Sequence, residues 1–197
     1  MWRQSDLAPH LGVVVMSAAL INIRTVRVDG TSISSEPPPS LDRVLRSLYG
    51  ILDETTLCAW ATVTANSHAH VNTGYFAYSD RLEICLLSHP GSVHCRNIET
   101  NPSMAVAVFS SAQNWMQPGR GIQLFGACMQ VGGADAAEVG RIYGQRFPAI
   151  ANWKAALKAG DPALDYRFYR FVADSVKILD EAEFGDAVWV QAGIVRA

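Results

Sequence analysis

The spacing of apolar residues separates one helical segment from a strand-rich remainder. From Leu41 to Leu52 apolar residues recur at intervals of three and four, and Ser40 stands at the N-cap position just before them. After Thr56 the period changes to two, which is typical of half-buried strands. The pattern predicts strands at residues 56–64, 69–78, 81–88, 103–110 and 122–131.

Helices interrupt these strands without alternating with them. Helical sequence is predicted from Gly91 to Thr100, from about Ala134 to Phe147, and from 149 to a closing glycine at 160. Two strands at 166–172 and 175–180 follow, with a candidate last strand at 187–191. The order favours antiparallel hairpins over a doubly wound parallel sheet. We therefore predict a mainly β (α+β) fold, an antiparallel six- or seven-stranded barrel with peripheral helices.

A proline-rich stretch marks the predicted domain boundary. Residues 32–40 read SISSEPPPS, and their three consecutive prolines can join neither a helix nor a central strand. We expect residues 1–40 to form an N-terminal extension with this linker, and residues 41–197 to form the domain. The apolar run from Leu11 to Ile21 is too short to span a bilayer, and we interpret it as a short strand or an unpacked leader. Export is not expected.

Composition and charge narrow the class of protein. Hydrophobic residues make up 49% of the 197 residues and charged residues 17%, as in a folded globular protein. The formal net charge of -2 argues against nucleic acid and against membranes as partners. The four cysteines show no C-x-x-C spacing, and three lie in apolar runs. We expect buried, reduced thiols in a cytoplasmic protein rather than disulfides.

The stretch from His89 to Pro102 carries the most chemistry in the chain. A metal site is one interpretation, but His94 and Cys95 are adjacent and would point about 100° apart on a helix. His68 and His70 share a strand face but would need a third ligand from elsewhere. We therefore expect no metal.

An anion site is the second interpretation of this stretch. A strand ends at Ser88, and Ser92 occupies the N-cap of the next helix, whose free N–H groups and positive dipole end suit a phosphate. Both serines offer hydroxyls and His94 an imidazole, whose pKa a bound dianion would raise. An ordinary strand–helix corner with a serine cap is the equally open alternative.

The run from His70 to Phe109 resembles the flavin-binding split-barrel family, which includes pyridoxamine 5′-phosphate oxidase. The resemblance lies in an HVNT strand, a strand ending in serine, a Ser-x-basic turn, and a helix that closes in Asn-Pro before an apolar strand. Together with GIQLFGA at 121–127 and IYGQRFP at 142–148, it is nearest to an uncharacterised YhbP-type branch and covers roughly 41–190. It implies a split β-barrel and a homodimer with a flavin in each of two clefts between subunits.

The resemblance also implies site residues by position. Along the flavin ring and ribityl chain it places His70, Val71, Asn72 and Thr73; toward the phosphate end it places Leu87, Ser88, Ser92 and His94. It puts the strand carrying Arg120 and Gln123 near the cofactor of the same or the opposite subunit, with a solvated strand edge as the alternative. The oxidase itself has arginine and lysine where this chain has Val93 and His94. That departure implies weak FMN binding and argues against oxidation of vitamin B6 phosphate.

The absence of other motifs is compatible with flavin chemistry. The sequence contains no G-x-S-x-G elbow, P-loop or G-x-G-x-x-G fingerprint, and it identifies no catalytic residue. The favoured hypothesis is an FMN-binding oxidoreductase acting on an unidentified small molecule, with NAD(P)H as a candidate reductant. The alternatives are a non-catalytic flavin-binding protein, a protein using a deazaflavin, and a haem-binding or haem-degrading protein with His70, His89 or His94 as axial ligand.

Overall fold

One antiparallel sheet forms the body of the molecule. The computed structural model describes residues 18–27, 29–33 and 37–196. The strands are β1 Ala18–Val26, β2 Leu57–Val63, β3 Ala69–Tyr78, β4 Glu83–Ser88, β5 Ser103–Val108, β6 Arg120–Gln130, β7 Arg167–Asp180 and β8 Trp189–Arg196. The helices are α1 Leu41–Glu54, α2 Val93–Thr100, α3 Gly133–Arg146, α4 Ile150–Ala156 and α5 Glu181–Phe184, with a short 3₁₀ helix at Pro162–Asp165.

The sheet closes on itself. Its strand order is β1-β8-β7-β4-β3-β2-β5-β6, and an additional pairing of β7 with β6 closes β2 to β7 into a barrel. Strands β8 and β1 continue outward from β7. The predicted mainly β split barrel with peripheral helices is thereby confirmed, and so is the candidate last strand, which is β8.

Inward-facing residues of each strand and one helix make the core. Along β5 the residues Met104, Val106 and Val108 are buried, and their outward neighbours are only partly covered. Helix α1 lays its apolar stripe, with Leu48 at its centre, against the strands of the barrel. Ser47 of α1 is also buried, and it donates a hydrogen bond to Asp180 Oδ2 at 2.6 Å.

The segment predicted as two strands is one continuous strand. The sequence pattern leaves Ala173 and Asp174 as a break between two strands, yet β7 runs through them as one strand of 14 residues. The β6–β7 ladder instead shifts register between Phe125 and Gly126, where a bulge absorbs the extra residue. A Cβ on Gly126 would overlap the Val172 carbonyl and lie 2.8 Å from Ala173 Cα, so glycine is required at this crossing.

Two further segments differ in extent from the sequence pattern. Strand β1 lies within the segment treated as an extension, yet it pairs with β8 and buries Ala18, Leu20 and Val26. Residues 11–17 of the run interpreted as strand or leader lie outside the described residues. Helix α4 ends at Ala156 rather than at residue 160, because Leu157 is already extended.

The cysteines are buried thiols, as predicted. Cys58, Cys85, Cys95 and Cys128 are all free and buried. Burial raises the pKa of Cys58, Cys85 and Cys128 to about 12, so these thiols stay protonated and unreactive at neutral pH.

Candidate functional site

A split between two neighbouring strands opens the candidate cleft. Strands β3 and β4 pair over a short stretch only, in which Phe76–Tyr78 of β3 lie opposite Ile84–Leu86 of β4. Before this point β3 continues on β2 alone, with Thr73 opposite Ala59, while β4 runs on to Ser88 beside β7. The two strands therefore diverge, and within the described part of the chain one edge of β3 has no partner strand.

That edge of β3 presents free backbone groups. The Phe76 N–H donates to the Thr56 carbonyl on the β2 side, at 3.2 Å. Because backbone groups alternate sides along an antiparallel strand, the N–H and C=O groups of Val71 and Thr73 point to the open side. Among the described residues, only the Thr73 carbonyl has a partner there, the Asn72 side-chain amide at 3.1 Å. The edge is ready to hydrogen-bond a ligand.

Aromatic side chains line the cleft, which has a volume of about 420 Å³. Its lining residues are Trp60, Asn72, Thr73, Gly74, Tyr75, Leu87, Ser88, Tyr143, Ile150, Trp153 and Tyr166. None of these side chains carries a formal charge, since burial raises the pKa of Tyr143 to about 12 and keeps its hydroxyl protonated. Trp153 meets Tyr166 edge to face at 5.9 Å between ring centroids. Such a wall suits a flat, uncharged ring system.

The strand–helix corner lies at the Ser88 end of the cleft. Ser92 occupies the N-cap of α2 with φ -70° and ψ 154°, as predicted, but its hydroxyl makes no capping bond. Instead Ser88 Oγ and Ser92 Oγ lie 2.8 Å and 3.1 Å from His94 Nε2. The N–H groups of residues 93–95 consequently have no acceptor among the described residues.

His94 lies behind the two serines rather than facing solvent. Its side chain is buried, and its ring meets Trp60 edge to face at 5.5 Å between centroids. Burial and the nearby charge of His70 lower the pKa of His94, so its ring is neutral at pH 7. His94 therefore positions the two serine hydroxyls and is itself held behind them.

Replacing His94 with glutamine is expected to flatten the pH dependence of stability. The pKa of His94 in the folded chain lies below its ordinary value of 6.5, so below about pH 6.5 the unfolded chain binds a proton that the folded chain does not. The free energy of unfolding of the parent protein should thus fall as pH drops from about 7 to 5. Urea unfolding at several pH values measures this slope. The control is His68→Gln, because His68 is exposed, and this variant should keep the slope of the parent. A slope in His94→Gln equal to that of the parent would contradict the lowered pKa of His94.

The predicted site residues fall into four groups, the last of which is Arg120 alone. Asn72, Thr73, Leu87 and Ser88 line the cleft, and Ser92, His94 and His70 lie at or beside the corner. Val71 and Gln123 instead line a shallow depression on the outer face of the sheet, together with Phe125 and the alanines of β2 and β5. Successive side chains of a strand project to opposite faces. Asn72 lies opposite Trp60, and Val71 lies opposite Ala61 on the other face.

Arg120 lies away from the other predicted residues. It contacts the exposed Glu54 and the buried carboxylate of Asp180, 3.1 Å from its Nη2 atom. A carboxylate that is 3% exposed needs a cationic partner, which accounts for the position of the guanidinium. In a single chain, Arg120 is not part of the cleft.

Several residues of the site were missed by the sequence interpretation. Trp60, Tyr143, Trp153 and Tyr166 come from segments whose aromatic residues look like ordinary core or surface. Arg96 was also missed. Its guanidinium donates to the Gly91 carbonyl and so places a cation at the turn. Its position four residues after Ser92 on α2 is the only sequence signal that could have indicated it.

Comparison with solved structures identifies the fold. A haem-binding protein from Mycobacterium smegmatis is 16% identical with a TM-score of 0.58, over 82% of this chain and 60% of that one. The haem storage protein HutZ from Vibrio cholerae is 17% identical with a TM-score of 0.55, over 73% and 92%. A Clostridium acetobutylicum protein of the pyridoxine phosphate oxidase family, related to general stress protein 26 of Bacillus subtilis, is 10% identical with a TM-score of 0.55, over 79% and 95%.

These likenesses define the class of fold. The chain is a split barrel of the kind found in pyridoxamine 5′-phosphate oxidase-like proteins, and it spans 60% of the length of the mycobacterial protein. No family model matches the sequence, and no curated protein matches it. Within the described ranges, no helix has the length and apolar character needed to cross a membrane.

Proposed function

We propose that the cleft binds FMN and that the protein is an FMN-dependent oxidoreductase acting on a small molecule. The observation that carries the proposal is the unpaired edge of β3, which faces an uncharged aromatic cleft and lies near the unpaired N-terminus of α2. An isoalloxazine ring is flat and has hydrogen-bonding atoms along its polar edge. The backbone groups of Val71 and Thr73 suit that edge, and the aromatic wall suits the ring faces.

The corner suits the phosphate end of the same cofactor. Residues 93–95 supply free N–H groups, Ser88 and Ser92 supply hydroxyls, and Arg96 supplies a positive charge at the turn. The 420 Å³ volume lies within the roughly 300–1,000 Å³ that is common for ligand pockets. A phosphate dianion at this position would favour the charged form of His94 and raise its pKa.

The chain itself would supply binding and orientation rather than acid–base chemistry. When bound, a flavin supplies two-electron redox chemistry, for which NAD(P)H is a candidate reductant. The Trp153 and Tyr166 rings would shield one side of the cleft from water. No charged side chain lines the described cleft, so neutral or weakly charged substrates are favoured.

A second copy of the chain is proposed to complete the site. The outer face of strands β2, β3 and β5 is apolar, and Val71 on it is 64% exposed in one chain. Beside Val71 lie small residues of β2 and β5, namely Ala59, Ala61, Ala105 and Ala107. A flat apolar face of this kind favours a two-fold homodimer, with the flavin held between subunits.

FMN affinity is expected to depend on the corner and riboflavin affinity is not. Replacing His94 with alanine should weaken FMN by about tenfold, since it releases both serine hydroxyls, and should change riboflavin affinity much less. Quenching of flavin fluorescence measures both affinities. The control is His68→Ala, because His68 is exposed on the β2–β3 turn. Equal losses of affinity for FMN and riboflavin would contradict phosphate binding at the corner but not ring binding in the cleft.

Haem is the second candidate ligand, because two of the similar structures are named as haem-binding or haem-storage proteins. Of the three axial candidates, His89 accepts the Gly91 N–H at Nδ1, and His94 Nε2 is shared by two serines. His70 has no ring hydrogen bond among the described residues, so it is the best placed of the three. A Soret band that is lost in His70→Ala would favour haem over flavin.

Absorption of protein purified from its own host distinguishes the remaining alternatives. Bands in the blue and near-ultraviolet indicate FMN, and a single shifted near-ultraviolet band indicates a deazaflavin. Bleaching of the flavin by NADH or NADPH under nitrogen separates an oxidoreductase from a non-catalytic flavin-binding protein. A colourless protein that takes up neither flavin nor haem would contradict the proposal.

A further inference from the structure

A row of polar side chains crosses four strands on the outer face of the sheet. Arg24 on β1 lies opposite Gln191 on β8, Gln191 lies opposite Lys177 on β7, and Lys177 lies opposite Gln123 on β6. Directly opposed residues of antiparallel strands project to the same face. Two cations and two amides therefore stand side by side.

The next row along the same strands forms a pit. It consists of Ile21, Gly193, Ser175 and Phe125. The Ile21 side chain packs over Gly193, with Cγ1 3.1 Å from where a Cβ would lie, and the small Ser175 side chain leaves space next to it. Bulges lie on both sides, one between Ile21 and Arg24, where Asn22 has φ +54°, and one at Phe125. The resulting pit has a volume of about 370 Å³ and includes Arg24, Lys177 and Phe125 in its walls.

Both cations of the pit are held in place without an acidic partner. Arg24 donates to Gln191 Oε1 through Nη2 at 2.9 Å and Nε at 3.2 Å. Lys177 Nζ lies 5.0 Å from the centroid of the Trp189 ring. Among the described residues neither forms an ion pair with a carboxylate.

The acidic residues nearest in sequence to the two cations make other contacts. Asp29, the nearest to Arg24, accepts hydrogen bonds from the Thr31 N–H and hydroxyl. Asp174 interacts electrostatically with Arg196, and Asp180 pairs with Arg120. The side chains of Asn22 and Ser175 make no hydrogen bond to another described residue, so they are available as polar contacts. The pit thus combines uncompensated positive charge, free polar groups and one aromatic wall.

We propose that this pit is a second binding site, for a phosphate monoester or carboxylate carried on a flat apolar group. Arg24 and Lys177 would bind the anion, and Phe125, which is 38% exposed, would contact the flat group. The pit shares no lining residue with the aromatic cleft. The proposal therefore does not depend on the flavin assignment.

Phenyl phosphate is the probe, and amide chemical shifts of the full chain are the readout. At low ionic strength, shifts are expected to concentrate at residues 175–177 and 191–193, with phenol producing none of them and inorganic phosphate binding more weakly. Arg24→Gln and Lys177→Gln should each weaken phenyl phosphate by about tenfold. Ser175→Leu keeps both cations but fills the pit, and it should abolish binding.

Matched charge removals elsewhere provide the controls. Arg46→Gln and Lys158→Gln each delete one cation from an exposed position and should leave the affinity within twofold. Shifts spread over all cationic surfaces, or equal losses in control and pit variants, would overturn the proposal. So would an unaltered affinity in Ser175→Leu, because general electrostatic attraction does not need the pit. Binding at the pit shifts amides of residues 175–177 and 191–193, whereas binding in the cleft shifts amides of β3 and α2, so failure at one site is distinguishable from failure at the other.

Discussion

Replacing Gly126 with alanine is expected to lower the free energy of unfolding by roughly 2–4 kcal/mol. The added Cβ would overlap the Val172 carbonyl and approach Ala173 Cα to 2.8 Å, and backbone atoms cannot move aside as a flexible side chain can. The substitution falls where the β6–β7 pairing that closes the barrel changes register. Relief of the overlap requires the two strands to separate, which should weaken closure of the barrel.

Gly144→Ala is the matched control for this prediction. Among the described residues outside its own helix turn, its Cβ would meet Ile150 Cγ2 alone, at 3.8 Å, which is an ordinary contact, and Gly144 lies inside α3. Alanine should raise helix stability there by about 0.5–1 kcal/mol relative to glycine. Urea unfolding followed by tryptophan fluorescence measures both variants. Similar changes in the two variants would mean that β6 and β7 do not cross as closely as described.

Replacing Gly74 with alanine is expected to weaken flavin binding by about tenfold or more, equivalent to about 1.4 kcal/mol. A Cβ at this position would lie 2.7 Å from Trp60 Cη2, so the indole must shift. Trp60 lines the cleft and meets the ring of His94, and its displacement therefore changes both the ring site and the corner. FMN and riboflavin should lose affinity together, unlike the loss expected from His94→Ala.

Gly132→Ala is the control for Gly74→Ala. Apart from its chain neighbours, no described residue has an atom within 4 Å of the added Cβ, and Gly132 precedes α3 outside the cleft. Fluorescence titration with each flavin measures the affinities, and a thermal unfolding curve verifies that both variants are folded. Retention of parent affinity for both flavins in Gly74→Ala would show that the ring does not bind beside Trp60.

Local sequence patterns predicted the strands and helices because each depends on neighbours along the chain. The alternation around Trp60 and the three- and four-residue spacing around Leu48 were sufficient to locate β2 and α1. The N-cap position of Ser92 was also predictable. The partner of its hydroxyl was not predictable. In the folded corner this hydroxyl lies beside His94 Nε2 and makes no capping bond to the helix.

The site could be predicted only in part, because its remaining components come from distant segments. The strand residues Asn72 and Thr73 and the corner residue Ser88 were indicated by one local stretch and line the same cleft. Tyr143 and Tyr166 reach the cleft through the packing of α3 and the chain after α4, which has no local signature. The partners of Arg120 and Ser47 depend on the same kind of long-range contact, since both bind Asp180 at the end of β7.

Amide hydrogen exchange with and without saturating FMN tests the central claim most directly. The claim is that an unpaired strand edge and an unpaired helix start together hold the cofactor. It predicts slower exchange on FMN addition at Val71 and Thr73 and at residues 93–95. Bound FMN that leaves the exchange of the β3 edge and the first turn of α2 unchanged would contradict it.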